Sequence, residues 1–277
     1  KPCFPAENGF CPSFGKELSA KWSSKGRNYP QLACPDPSIT FVPQRIELSM
    51  TAHVITATPS LPESFSFYQK LGFAVIRAEP HLVTDGQVII HVDPDRHART
   101  GIALYAPSWS TVIDALSASA PYQKIEGGHL FHDPSGVRVI LKQGEGPSIP
   151  EDDGSKSLLG NFAGVSIEAA DMDSSLQFWK TLGFAVTMGD AAQGWVSLAA
   201  EGCPGISLMR TMMCPHLFFN PSLTYFNGKE GNPKVIAAVR KAGIAITEEI
   251  THFNKEGVVD NIIIRDPGGL GYFPFND

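Results

Sequence analysis

The chain has 277 residues, with 22 Lys and Arg against 28 Asp and Glu, a formal net charge of −6, 43% hydrophobic and 18% charged residues. That balance is one of a folded globular protein, and an acidic excess with no basic run excludes a nucleic-acid partner, whose phosphates need a cationic face. No apolar run reaches the roughly 20 residues of a membrane helix, residues 1–20 carry no apolar signal core, and five unevenly spread cysteines make no disulfide framework, so a cytoplasmic protein with no membrane partner is expected.

Residues 1–45 are rich in Pro, Gly, Ser and Lys without a period and read as an irregular N-terminal arm. Cys11-Pro-Ser-Phe14-Gly and Cys34-Pro-Asp-Pro37 look like interrupted zinc knuckles. Cys3, Cys11 and Cys34 are one ligand short of the four a structural zinc requires, so the arm is expected to be metal-free. Ile46–Thr58 alternates as a half-buried strand. Ser60-Leu-Pro-Glu63 has the spacing of a capping box, which starts a helix that Gly72 ends as a left-handed cap. Val88–Val92 and Gly101–Ala106 read as strands and Thr111–Ser119 as a helix. The turn Asp133-Pro-Ser-Gly136 leads into a strand over Val137–Lys142, with His129 and His132 expected to cap its backbone.

Gly144–Ser157 is a Pro, Gly and charge-rich linker, and beyond it the pattern starts again. Val165–Ala170 is a strand, Asp171 an N-cap and Ser174–Leu182 a helix closed by Gly183. Strands follow at Val196–Ala199, Ile206–Met209 and Leu223–Phe226, then a helix at Pro233–Ala242 closed by Gly243. The last strands are Asp260–Arg265 and Tyr272–Phe275, joined by the turn Asp266-Pro-Gly-Gly269. The repetition is explicit in the letters: FYQKLGFAV at Phe67–Val75 returns 111 positions later as FWKTLGFAV at Phe178–Val186. A displacement near a hundred residues implies duplication of a whole domain. The expected division is an arm over 1–45, domains over 46–143 and 158–277, and a linker over 144–157.

Opening strand, LGF-ended helix and closing DPSG or DPGG turn, given twice in the same order, resemble the vicinal oxygen chelate superfamily, which includes glyoxalase I, bleomycin-resistance proteins, fosfomycin-resistance enzymes and extradiol dioxygenases. The resemblance covers about 50–143 and 162–276. It implies an α+β fold of tandem paired βαβββ modules whose mixed sheets curl around clefts. Metal-using members hold a divalent ion through His, Gln or Glu from the first strand of each module and from the strand after the turn, to polarise vicinal oxygens as a Lewis acid. Carried over by position, the first-strand ligand is His53, and His91 is the one nearby helper. The equivalent positions elsewhere are Gly164, Ile140 and Phe273, which cannot ligate.

Those replacements turn an ionic cleft into an aromatic one, and Trp195, Tyr225, Tyr272 and Phe273 are the residues expected to bind a flat small molecule by stacking. A lone strand histidine also has a plain reading, as a hydrogen-bonded core residue. Cys203 and Cys214 read as buried thiols. Besides a structural or regulatory protein whose N-terminal arm contacts a partner, two functions stay open at this point. One is a binding protein for a small aromatic compound, like the bleomycin-resistance branch, needing no cofactor, with a homodimer compatible. The other is a lyase, isomerase or ring-cleaving dioxygenase that uses a divalent metal on His53 and ligands outside the family set. His53 is the catalytic candidate in either case, and glyoxalase I activity is not expected.

Overall fold

The computed structural model describes residues 50–150 and 156–276, and the arm with Cys3, Cys11 and Cys34 lies outside the described residues. Four βαβββ modules follow one another. The first is β1 (Thr51–Ala57), α1 (Leu61–Leu71), β2 (Ala74–Arg77), β3 (Leu82–Thr84) and β4 (Ile89–Asp93). The second is β5 (Gly101–Ala106), α2 (Ser110–Ser117), β6 (Tyr122–Ile125), β7 (Gly128–His132) and β8 (Arg138–Gln143). The third is β9 (Phe162–Ala169), α3 (Met172–Thr181), β10 (Ala185–Asp190), β11 (Trp195–Ala199) and β12 (Ile206–Arg210), with a 3₁₀ turn at Ala191–Gln193. The fourth is β13 (Ser222–Phe226), α4 (Gly228–Lys241), β14 (Ile246–Ile250), β15 (Asn261–Arg265) and β16 (Gly271–Phe275).

Modules pair through their first strands. In the N-terminal half the sheet order is β2-β3-β4-β1-β5-β8-β7-β6, and in the C-terminal half β10-β11-β12-β9-β13-β16-β15-β14. Each half is thus one mixed eight-stranded sheet whose end strands, among the described residues, are β2 and β6 in the N-terminal half and β10 and β14 in the C-terminal half. Among the described residues no helix is long and apolar enough to cross a membrane.

The duplicated nonapeptide does the same work in both copies. Ser60 accepts from the Glu63 N–H and Asp171 from the Ser174 N–H, opening α1 and α3. At the other ends Gly72 N–H donates to Gln69 and Phe73 N–H to Tyr68, and 111 residues on Gly183 donates to Lys180 and Phe184 to Trp179. Both glycines hold left-handed backbone, φ 88° and 101°, which a β-carbon would strain. α4 begins at Gly228, five residues before the expected Pro233. Its added turn is held by the fully buried Asn232, whose amide donates to the carbonyls of Asp260 and Pro274, a tertiary anchor with no local signal. The Asp133 turn is capped by its own aspartate, which accepts from the N–H groups of Ser135 and Val137. His129 and His132 instead lie on β7.

The halves are pinned to each other reciprocally. Trp179 of α3 donates its indole N–H to Asp133 Oδ2 at 3.3 Å, and Tyr68 of α1, the residue 111 positions earlier, donates its hydroxyl to Asp266 Oδ2 at 2.8 Å. Each half therefore lends a helix aromatic to the turn aspartate of the other. Asp266 also accepts from Thr56, and the Tyr68 and Tyr272 hydroxyls lie 2.8 Å apart. Asp85 of the N-terminal half accepts from Tyr225 at 2.9 Å and from Ser157 at 3.1 Å. Burial of this network pushes the carboxyls of Asp133 and Asp266 above their usual range.

Candidate functional site

Alternation divides each strand between two faces. On β1, Ala52 and Val54 join a core with Tyr68, Leu71, Val112 and Leu116 of the helices, so Thr51, His53 and Ile55 face away from α1 and α2. Cross-strand pairing builds this second face outward. His53 stands opposite Ala103, Ile55 beside His91, and Thr51, Tyr105 and Lys142 form one row across β1, β5 and β8. The His53 ring lies 5.7 Å from that of His91, edge-on, and 5.6 Å from that of Tyr105, while the Lys142 ammonium stands 5.8 Å from the Tyr105 centroid. The two metal candidates, His53 and His91, are thus brought together.

His53 is 4% exposed, and its Nδ1 has no hydrogen-bond partner; neither has the buried Oγ of Thr51 two residues away on the same face. These are the two such atoms among the described residues. Burial, reinforced by His91 and Lys142, pulls the His53 pKa down to about 3, so its imidazole is neutral at physiological pH. Burial also lowers His91, with Asp93 opposing and Lys142 reinforcing. Gly146 of the linker lies directly over this row, where the Thr51 Oγ and the Tyr105 ring leave no room for a β-carbon.

A depressed histidine pKa has a signed consequence. The stability that neutral His53 contributes is complete above its unfolded value of 6.5 and is lost as pH falls toward about 3. Urea unfolding at about pH 7 and about pH 4 should show the wild type losing more stability on acidification than His53→Gln. Parallel pH profiles would mean that the imidazole is not held neutral.

A divalent metal does not fit this donor set. Among the described residues no three His, Cys, Asp or Glu side chains gather closely enough to hold an ion. The two histidines are joined by no carboxylate ligand, and the ammonium of Lys142 acts against positive charge on both. The positions where the family carries ligands have other duties. Gly164 has φ 138° and its missing side chain makes way for the Gly205 carbonyl, while Ile140 pairs with Ala103 and Leu130.

The four aromatic candidates of the C-terminal half do not form one cleft. Tyr225 and Tyr272 are fully buried on the helix side, committed to Asp85 and Tyr68, whereas Phe273 and Trp195 belong to the opposite face. The Phe273 ring is already covered by the chain itself. Phe218 lies 5.3 Å, His216 5.6 Å and Phe275 5.7 Å from its ring, and the segment carrying the first two is held down by Glu248, which accepts from the Leu217 N–H. Trp195 is half-buried beside Gly189 and pairs across to Met209. Alternation places Thr51 beside His53 from the sequence alone, whereas Tyr105, Lys142 and Gly146 are not singled out by it. Register through His53 identifies Tyr105 and Lys142, but the close approach of Gly146 has no sequence signal. Cys203 and Cys214 are partly buried, and burial pushes the Cys203 thiol up to about 12, which makes it a poor nucleophile.

No protein-family model matches the sequence, and no curated protein matches it. Solved structures do. A variant of homoprotocatechuate 2,3-dioxygenase from B. fuscum superposes with a TM-score of 0.51 at 14% identity, over 82% of this chain and 71% of that one. A second variant of that dioxygenase, in complex with HPCA, gives 0.50 at 13% identity, over 82% and 70%. The Mn(II)-bound glyoxalase from Novosphingobium aromaticivorans gives 0.46 at 16% identity, over 82% and 80%. With the four modules in order and paired two by two, the chain shares its fold with these dioxygenase variants.

Proposed function

From that fold, we propose that the protein binds a small organic molecule on the face of its N-terminal half that carries His53, through hydrogen bonds and ring contact and without a metal ion. The orphaned pair of Thr51 Oγ and His53 Nδ1 carries this reading. Buried polar atoms are almost always paired, and leaving one unpaired costs about 1–3 kcal/mol. Two adjacent ones on one face are what a site has before its ligand supplies the missing partners. Tyr105 adds a flat wall beside them, and neutral His53 can donate or accept a proton in a hydrogen bond. The C-terminal face is a poorer candidate, because Phe218 and His216 already occupy the aromatic surface there.

The test is ligand-induced stabilisation of the full chain against a panel of small aromatic acids, amides and alcohols. His53→Ala and Thr51→Val should each abolish the shift produced by a binder while changing the stability of the unliganded protein by about 1 kcal/mol or less. Retained binding in both variants would move the site elsewhere. Stoichiometric Mn, Fe, Ni or Zn in protein purified without chelator, lost on His53→Ala, would replace this reading with a metal-dependent one.

A further inference from the structure

Resting on the site just proposed, we infer its ligand class: a small organic anion whose carboxylate or phenolate oxygen is held between Lys142 and the Thr51–His53 pair. Thr51, Tyr105 and Lys142 are direct cross-strand neighbours in one row, and the Lys142 ammonium and the His53 ring both approach the Tyr105 ring between them, at 5.8 and 5.6 Å from its centroid. The middle residue offers a ligand ring a face to lie against.

The charge is set by what surrounds the row. Lys142 is partly buried and, among the described residues, has no carboxylate within 4 Å; the two ion pairs found there are His81–Glu79 and Arg240–Glu249. His53 is uncharged, so Lys142 supplies positive charge at this end of the face, with Arg77 acting on Tyr105 in the same sense. The nearby carboxylates Asp93 and Glu79 act on His91, whereas the charges acting on His53 come from His91 and Lys142. A cation placed here would meet Lys142 with no compensating carboxylate, and a neutral molecule would leave the ammonium unused. An anion satisfies the ammonium, the Thr51 hydroxyl and one imidazole N–H together, and charge-assisted bonds are the stronger kind. Gly146 covers the row, so the ligand enters by displacing the Gly144–Pro150 segment.

Three isosteric probes separate the outcomes: benzoate, benzamide and benzamidine, which are anionic, neutral and cationic at neutral pH. Each is titrated into the full chain by calorimetry, with the His53 ring nitrogens followed by NMR. Benzoate should shift the His53 signals and bind about tenfold or more tighter than benzamide, the discrimination expected of one partly buried charge contact. Benzamidine should leave His53 unmoved. Lys142→Met should bring benzoate and benzamide within about twofold of each other, and Lys142→Arg should restore the preference. Benzamide or benzamidine binding at His53 as tightly as benzoate would overturn the anion while leaving the site standing. If none of the three perturbs His53, both the anion and the site are overturned.

Discussion

Trp179→Ala should lower the unfolding free energy by about 4 kcal/mol, since deleting a fully buried large aromatic removes its transfer free energy and leaves a void. Trp179 is the largest fully buried side chain among the described residues, edge-on to Phe178 and Phe184 at 5.7 and 5.3 Å. Its N–H is also one of the contacts by which α3 holds Asp133 of the other half, so the substitution strips a hydrogen bond from a buried carboxyl. Trp179→Phe isolates that part, with an expected cost of about 1–2 kcal/mol. Urea unfolding followed by circular dichroism reads both variants. A loss under about 2 kcal/mol for the alanine variant would mean that the neighbouring core collapses into the space.

Asp266→Ala should cost about 3 kcal/mol, because it leaves the Thr56 and Tyr68 hydroxyls and the Leu270 N–H without their acceptor in a buried site. The pH dependence separates the carboxyl from its shape. Burial raises the pKa of Asp266, so its contribution is complete below the unfolded carboxylate range and is lost as pH rises through the folded value. The stability difference between wild type and Asp266→Asn should therefore grow in favour of the wild type from about pH 7 to about pH 4. A difference that shrinks on acidification would mean that hydrogen bonding to the carboxylate outweighs its desolvation.

What the sequence disclosed followed from how local each cause is. The caps of α1 and α3 were legible because Ser60, Asp171, Gly72 and Gly183 act on backbone within four residues of themselves. β5 was read residue for residue because it is central and buried. β2, β6, β10 and β14 carry no such signal because they are edge strands with few buried side chains, and β3 and β7 carry none because three and five residues are too short to show a period. The face of His53 followed from alternation, yet nothing local says that the Tyr225 and Tyr272 hydroxyls go to Asp85 and Tyr68. Aromatics read as a cleft lining are half of a polar seam, and only long-range pairing decides which half. Gly164 misleads similarly: a vacated ligand position by the resemblance, it is a steric necessity beside Gly205.

The reciprocal exchange of helix aromatics and turn aspartates means that neither repeat is self-sufficient, although each has a complete sheet. A protease site engineered into 144–150 and cut should leave two fragments that stay associated and comigrate under native conditions, because Tyr68 and Asp133 on one find Asp266 and Trp179 on the other. Expressed separately, each fragment would present an unmatched aromatic and an unmatched carboxyl to water, and mixing the two should restore cooperative unfolding by complementation. A gene duplication fixed in this way cannot easily be reversed by fission, since losing either copy would strand the polar groups of the survivor.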